Sequence, residues 1–413
     1  METCIYMRRV LIVLMVLLAG IGRPMKAQLA DRVYKTNYQI APDSKGDLRI
    51  EVDNISFFRD NEFSTTSMDG YTLPGLWVQP KAVYYPLDNI KLEAGVHMLR
   101  YWGADKYPNM AYRDIAYWKG SLQDGLHILP FFRAQVALSD HVDIVLGHLY
   151  GGANHNLIAP LYCSELNMTA DPEAGLQVLY RSKPFDLDAW VNWESFIFRQ
   201  DVHQEAFIVG LSSKLKFNDE QSDWHFHLPL QAMIQHRGGE IDTICSNSVQ
   251  TLMNGALGLG VTWNIHHPLI RQAHFELDGL GYYQQAGTLW PFDKGAALYV
   301  HAYVDLSDFR VKSGYFLGHK FISLLGYPMY GCVSTKEEGM TYNTMKTGYF
   351  GVEYSHTFAP GYALGIDLDL FCQGKCTSVD AAGTRVRTRM ATSFAAGIYL
   401  RVNPSFLINR KKI

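Results

Sequence analysis

His225 and His227 stand two residues apart, a spacing that puts both imidazoles on one face of a β-strand. Two such rings supply two metal ligands, and a zinc-type centre takes at least three from the protein. No third ligand lies at a matching interval, so no metal is expected. Ser313 and His356 fall on neighbouring segments with the same outward phase, and a hydroxyl beside an imidazole is the beginning of a hydrolytic site. No motif accompanies them. No catalytic or cofactor-binding residue is assigned, and the chain is expected not to be an enzyme. Cys163, Cys245, Cys332, Cys372 and Cys376 all fall in or beside expected loops. An exported chain can oxidise them, and Cys372 with Cys376 is placed to close the base of one loop as a disulfide.

A larger set of ionisable groups recurs on one face of alternating segments: Arg133, Glu194, Lys214, Lys216, His274, Glu276, Asp278, Arg310, Lys312, Glu353, Asp367, Asp369 and Arg389. So many charges cannot sit in a dry core, where an unpaired ion costs several kcal/mol. A wet lumen accepts them. Bases cluster at Lys214/Lys216 and Arg310/Lys312, acids at Glu276/Asp278 and Asp367/Asp369. Two arrangements satisfy this pattern. One is a pair of opposed ladders whose transverse field orients dipolar solutes. The other is neutralisation between neighbouring strands, for example Arg310 with Asp305 or Glu353.

The elements that must position these groups are legible in the intervening residues. Leu257, Leu259, Val261 and Trp263 alternate with Gly258, Gly260, Thr262 and Asn264, and the same period of two returns in segments of about ten residues. Connections between segments alternate strictly between short and long. That grammar predicts an all-β fold, a transmembrane antiparallel up-and-down barrel of about 16 strands, within two either way, with short periplasmic turns and long extracellular loops. Trp77, Trp102, Trp193, Trp224, Trp263, Tyr354 and Tyr399 near strand ends are expected to form aromatic girdles. The loop 318–345 is too apolar for water. Its Phe321, Leu324, Tyr327 and Tyr330 are expected to fold inward as a constriction, to pack on other loops, or to meet a partner protein. The loop 103–125 carries Tyr107, Tyr112, Tyr117 and Trp118, which suit a glycan or packing between loops.

At the amino terminus, Arg8 and Arg9 precede the apolar run Val10 to Ile21, too short to span a bilayer as a helix. Residues 1–27 read as a cleaved signal peptide, 28–46 as a short periplasmic segment, 47–402 as the barrel and 403–413 as a periplasmic tail. A formal net charge of −3 with 19% charged residues argues against a nucleic-acid partner. With this strand grammar and the Lys26-Ala27-Gln28 end of its signal, the chain resembles porin-type outer-membrane barrels, in particular those of the Bacteroides group. Such barrels commonly end on an aromatic residue; here Phe406 is followed by further residues, so either Phe406 takes that role or the terminal signal is atypical. The resemblance implies contact with outer-membrane lipid and a channel for small hydrophilic solutes. A structural or adhesive barrel with a closed lumen is the second reading, and a barrel acting on lipid the third.

Overall fold

The computed structural model describes residues 29–41, 43–102, 126–197, 204–239 and 249–410. The signal segment, the aromatic loop 103–125 and Cys245 lie outside these residues. The wall is an antiparallel sheet: β1 (Asp47–Ser64), β2 (Asp69–Leu87), β3 (Ile90–Tyr101), β4 (His127–Ala137), β5 (Val142–His148), β6 (Ala174–Arg181), β7 (Phe185–Ser195), β8 (Ala206–Lys216), β9 (Trp224–Arg237), β10 (Gln250–Asn264), β11 (Ile270–Ala286), β12 (Lys294–Leu306) and β13 (Phe309–His319). After the two-residue β14 (Thr341–Tyr342) it continues through β15 (Thr344–Ala359) and β16 (Tyr362–Gln373). The short β17 (Thr377–Val379) and β18 (Arg385–Arg387) form a separate patch with β14, and β19 (Ala391–Val402) and β20 (Ser405–Arg410) end the chain.

Closure falls on β1, which pairs with β2 along one edge. Its other edge is shared, with β19 opposite Asn54–Glu62 and β20 opposite Asp47–Glu51. Counting β19 and β20 as one wall position, the barrel closes with 16 strands. The segment expected as a tail is therefore part of the wall as far as it is described: Ser405–Arg410 completes the seam, and Phe406 points outward at 55% exposure.

The period of two sorts side chains by solvent. On β10, Leu257, Leu259 and Trp263 are exposed to the outside, while Ala256, Gly258, Gly260 and Thr262 face inward. With lipid outside, exposed leucines are the buried state of this protein. Trp224 and Trp263 stack on the outer face with ring centroids 5.2 Å apart. Trp77 and Tyr399 leave the expected girdle. Their strand phase turns them inward, where Trp77 Nε1–H donates to Asn167 O and Tyr399 is fully buried.

The interior is filled rather than open. The segment 149–173 between β5 and β6 and the segment 320–343 between β13 and β15 both fold into the lumen and meet at a parallel bridge, Tyr162 to Leu325. Phe321, Leu324, Tyr327 and Tyr330 are each buried there. They reach opposite walls: Leu324 N–H donates to Asn254 on β10, and Arg59 on β1 donates to Tyr327 Oη at 3.0 Å. Residues 29–41, expected in the periplasm, thread the same lumen. Val33 packs beneath Gly365 on β16, Thr36 exchanges hydrogen bonds with Asn154, and the Tyr38 ring packs at a tilt against Tyr150.

Candidate active site in a lateral notch

β1 and β2 run 18 and 19 residues, but β5 and β6 only 7 and 8. Tight turns align the periplasmic ends, so the shortfall appears at the extracellular rim. Seven residues extend about 23 Å, and strand tilt leaves less height than the roughly 25 Å apolar band such walls present. β5 pairs with β4 only from Arg133 to Ala137, so the outer half of β4, His127–Phe132, pairs with β3 alone. Across the gap, β6 leaves β7 after Asn192, and the end of β7 pairs with β8 alone. An open strand edge is a row of unpaired amides. The His148 ring caps part of it, with Nδ1 3.1 Å from Phe132 N and 3.0 Å from Phe132 O.

Behind this notch lies the segment 149–173. Gly152 (φ 59°) admits the left-handed turn that starts it inward. Between segment and wall is a cavity of about 620 Å³, within the range of small-molecule sites. Apolar side chains such as Leu129, Leu149, Leu166, Ile208 and Met233 line much of it, and so do Trp193 and Phe196, which also face outward. The cavity thus touches both lumen and lipid sides of the wall.

Its polar lining is histidine and carboxylate. His97 on β3 is buried at 3% exposure and its Nδ1 lies 3.3 Å from Gln79 Oε1. A carbonyl oxygen only accepts, so the ring proton belongs on Nδ1. Nε2, which has no hydrogen-bond partner among the described residues, then carries the lone pair. His127, which opens β4 two residue pairs further along the register (His127 opposite Leu99, His97 opposite Leu129), stands behind the lining and places its Nδ1 3.2 Å from Oδ1 of the lining Asp171. An imidazole held by a carboxylate beside a second, neutral imidazole is acid–base machinery.

His155 has a different task. It sits between Asp188 (2.7 Å) and Glu173 (3.0 Å), with its ring flat on Trp190 at 3.5 Å. Burial opposes its charge, but the carboxylates of Glu173 and Asp188 outweigh burial and push its pKa up to about 10. Glu173, despite its own burial, is held below the usual carboxylate range by His155. A protonated His155 therefore pins the inward segment to the wall. Gly210 makes room for Trp190, since a Cβ there would overlap its ring.

Most of the ionisable groups on this strand face pair with partners on neighbouring strands. Arg133 donates to Glu93 at 2.8 Å and to the carbonyls of His148 and Leu149 at 2.7 Å each, fixing the floor of the notch. Glu194 lines the cavity. Lys216 meets Asp186 at 2.9 Å, and Lys214 is half-buried. Arg310 donates twice to Asp305, at 2.6 and 2.8 Å, and Lys312 bridges Glu353 (2.9 Å) and Asp369 (3.0 Å). Asp367 belongs to a fully buried knot in which Arg59 also donates to Glu165 at 2.7 Å and to Tyr399 Oη at 2.7 Å. Local neutralisation, not opposed ladders, is the arrangement found. His274, Glu276 and Asp278 form one further cluster.

Three expectations fail on strand phase and register. Arg389 is exposed and lies before β19, which starts at Ala391, so it never joins the wall. Cys372 and Cys376 are not joined: β16 turns Cys372 outward, while Cys376 Sγ contacts Thr388 Oγ1 at 3.0 Å. Ser313 lies opposite Phe350, well along β15 from His356, which is held by Asp308 at 3.0 Å near the periplasmic end. They make no hydrolytic pair. The grouping of His97 with His127 and Asp171 is not legible in sequence, because it depends on the β3–β4 register and on an inward loop.

Over residues 40–411 the chain matches the family model described as Lipid A 3'-O-deacylase-type. The chain belongs to this family. Membership overturns the expectation of a barrel without catalysis, because the family is an enzyme family named for removing an acyl group from lipid A. Among solved structures the deacylase-type chain is similar to the outer membrane protein OprD from Pseudomonas aeruginosa (10% identity, 92% of this chain and 98% of that one, TM-score 0.46). It is also similar to outer-membrane expressed OmpT of Vibrio cholerae (12% identity, 89% and 100%, TM-score 0.46). A third is the anion-selective porin from Comamonas acidovorans (9% identity, 87% and 100%, TM-score 0.44). Nothing matches among curated protein sequences.

Proposed function

We propose that this outer-membrane barrel hydrolyses an ester-linked acyl chain of a lipid A-type glycolipid that enters sideways through the β4–β7 notch. The observation that carries the reading is the His97 Nε2 lone pair, buried in a largely apolar cavity directly behind an opening in the wall. His97 takes a proton from water as the water oxygen bonds to the ester carbonyl carbon. The tetrahedral intermediate then collapses with cleavage of the ester C–O bond, and an imidazolium returns the proton to the departing sugar oxygen. Gln79 holds the His97 tautomer, and the His127–Asp171 pair supplies a second proton donor beside it. The apolar lining receives the acyl chain. A solute channel, expected from the charged inner face, has the two segments crossing the lumen against it.

The test uses refolded full-length protein in detergent–lipid A mixed micelles, with mass spectrometry of the glycolipid. Loss of one acyl chain is expected, and His97→Gln should slow it about 100-fold or more, the contribution of a positioned base. His356→Gln, remote from the notch, should leave the rate unchanged. Wild-type turnover by the His97 variant would remove His97 from the mechanism, and an intact glycolipid after incubation with folded wild-type protein would refute the activity.

A further inference from the structure

A second constellation lies in the periplasmic half of the lumen, on β9 to β12, and the notch chemistry does not use it. Register aligns one row straight across four strands: His227 opposite Gly260, Gly260 opposite Glu276, and Glu276 opposite His301. The neighbouring rows add His274 opposite Thr262 and Asp278 opposite Gly258. β9 and β11 are not adjacent, and an ordinary side chain on β10 would hold them apart. Glycine removes that obstacle. A Cβ at Gly260 would overlap His227 Nε2 and crowd Glu276 Oε2, and one at Gly258 would overlap Asp278 Oδ1. The two glycines leave a cradle in the wall, across which His227 and Glu276 meet.

The ligand atoms converge. His227 Nε2 is 2.9 Å and His274 Nε2 3.5 Å from Glu276 Oε2. His301 Nε2 is 3.2 Å from Glu276 Oε1 and 3.3 Å from Asp278 Oδ2. In both the His227–His274–Glu276 and the Glu276–Asp278–His301 groups, one ligand atom per residue lies within 4.8 Å of the others. Three imidazole nitrogens thus compete for the oxygens of one carboxylate. His227 is 2% exposed, and its Nδ1 has no hydrogen-bond partner among the described residues. Thr262 Oγ1 contacts His274 Nδ1 at 2.9 Å, the outer hydrogen bond that fixes a ligating ring with its Nε2 lone pair forward. His127 and His155 also meet carboxylates, but among the described residues only Glu276 is shared by three imidazoles.

We propose that His227, His274 and Glu276, with His301 and Asp278 completing the sphere, bind a first-row divalent transition cation of the zinc class. Imidazole with carboxylate is the donor set such ions prefer over calcium or magnesium, which take oxygen. The site's ligands come from three strands, β9, β11 and β12, and bridge across β10 below the inward segments. The sequence signal is the pair His225/His227 with the missing ligands supplied two strands away, at positions made reachable by Gly258 and Gly260.

The experiment titrates Zn²⁺ alone into chelator-treated, refolded full-length protein by calorimetry, with bound metal counted by elemental analysis and folding checked by circular dichroism. One equivalent is expected, with Ca²⁺ and Mg²⁺ failing to compete. Glu276→Gln and His227→Gln should each weaken binding at least tenfold while His97→Gln, in the notch, leaves it unchanged. Gly260→Val should abolish binding by filling the cradle, with all proposed ligands retained. Folded wild-type protein that takes up no zinc, or uptake unaltered in both ligand variants, would overturn the proposal.

Discussion

Arg59 is 1% exposed and bound to Glu165, Asp367 and two tyrosine hydroxyls, so its charge is stabilised wholly by protein. Removing one member of such a group leaves the others buried and uncompensated, at about 3–5 kcal/mol. Arg59→Met should lower the urea midpoint, followed by tryptophan fluorescence, far more than Arg310→Gln at the more accessible Asp305 pair. His155 predicts a pH dependence. Its folded pKa of about 10 lies above the ordinary 6.5, so the docking it provides is complete below pH 6.5 and fades as pH rises toward 10. Glu173, held low, acts in the opposite sense: its share is present above the usual carboxylate range and lost on acidification. Proteolysis within 149–173 should therefore be slow near pH 6 and faster at pH 9.5, and His155→Gln should remove that difference.

Strand alternation was readable because lipid and lumen impose opposite demands on successive residues. The segment expected at 126–138 is observed as His127–Ala137, and the count of strands held. Phase failed where a local stop was invisible: Arg389 continues the alternation of β19 on paper but precedes its first hydrogen-bonded residue. Contacts across strands were equally hidden, since the meeting of His227 with Glu276 depends on register and on what β10 lacks. Glycine placement makes a further prediction at this scale. Gly210→Val on β8 should displace Trp190 from His155 and free the inward segment, giving wild-type barrel content by circular dichroism but proteolysis at pH 6 as fast as wild type at pH 9.5.

For the molecule as a whole, the sequence pointed to a wet channel because inward charges were counted without their partners. The loop 318–345 was recognised as too apolar for water, but 149–173 and 29–41 carry ordinary polar composition, and nothing in them announces that they enter a lumen. With these segments crossing from β10 to β1, the intact protein should conduct no ions across a planar bilayer, and deleting 320–343 should open a measurable current. A steady current from the intact barrel would restore the channel reading. The short β5–β6 wall bears on the membrane itself. Hydrocarbon beside a low wall cannot remain at full thickness without exposing chains to polar surface, so the outer leaflet must sag toward the notch. A glycolipid drifting into that depression is already partly lifted out of its neighbours, and the work of extracting an acyl chain falls on the deformed bilayer as well as on the protein.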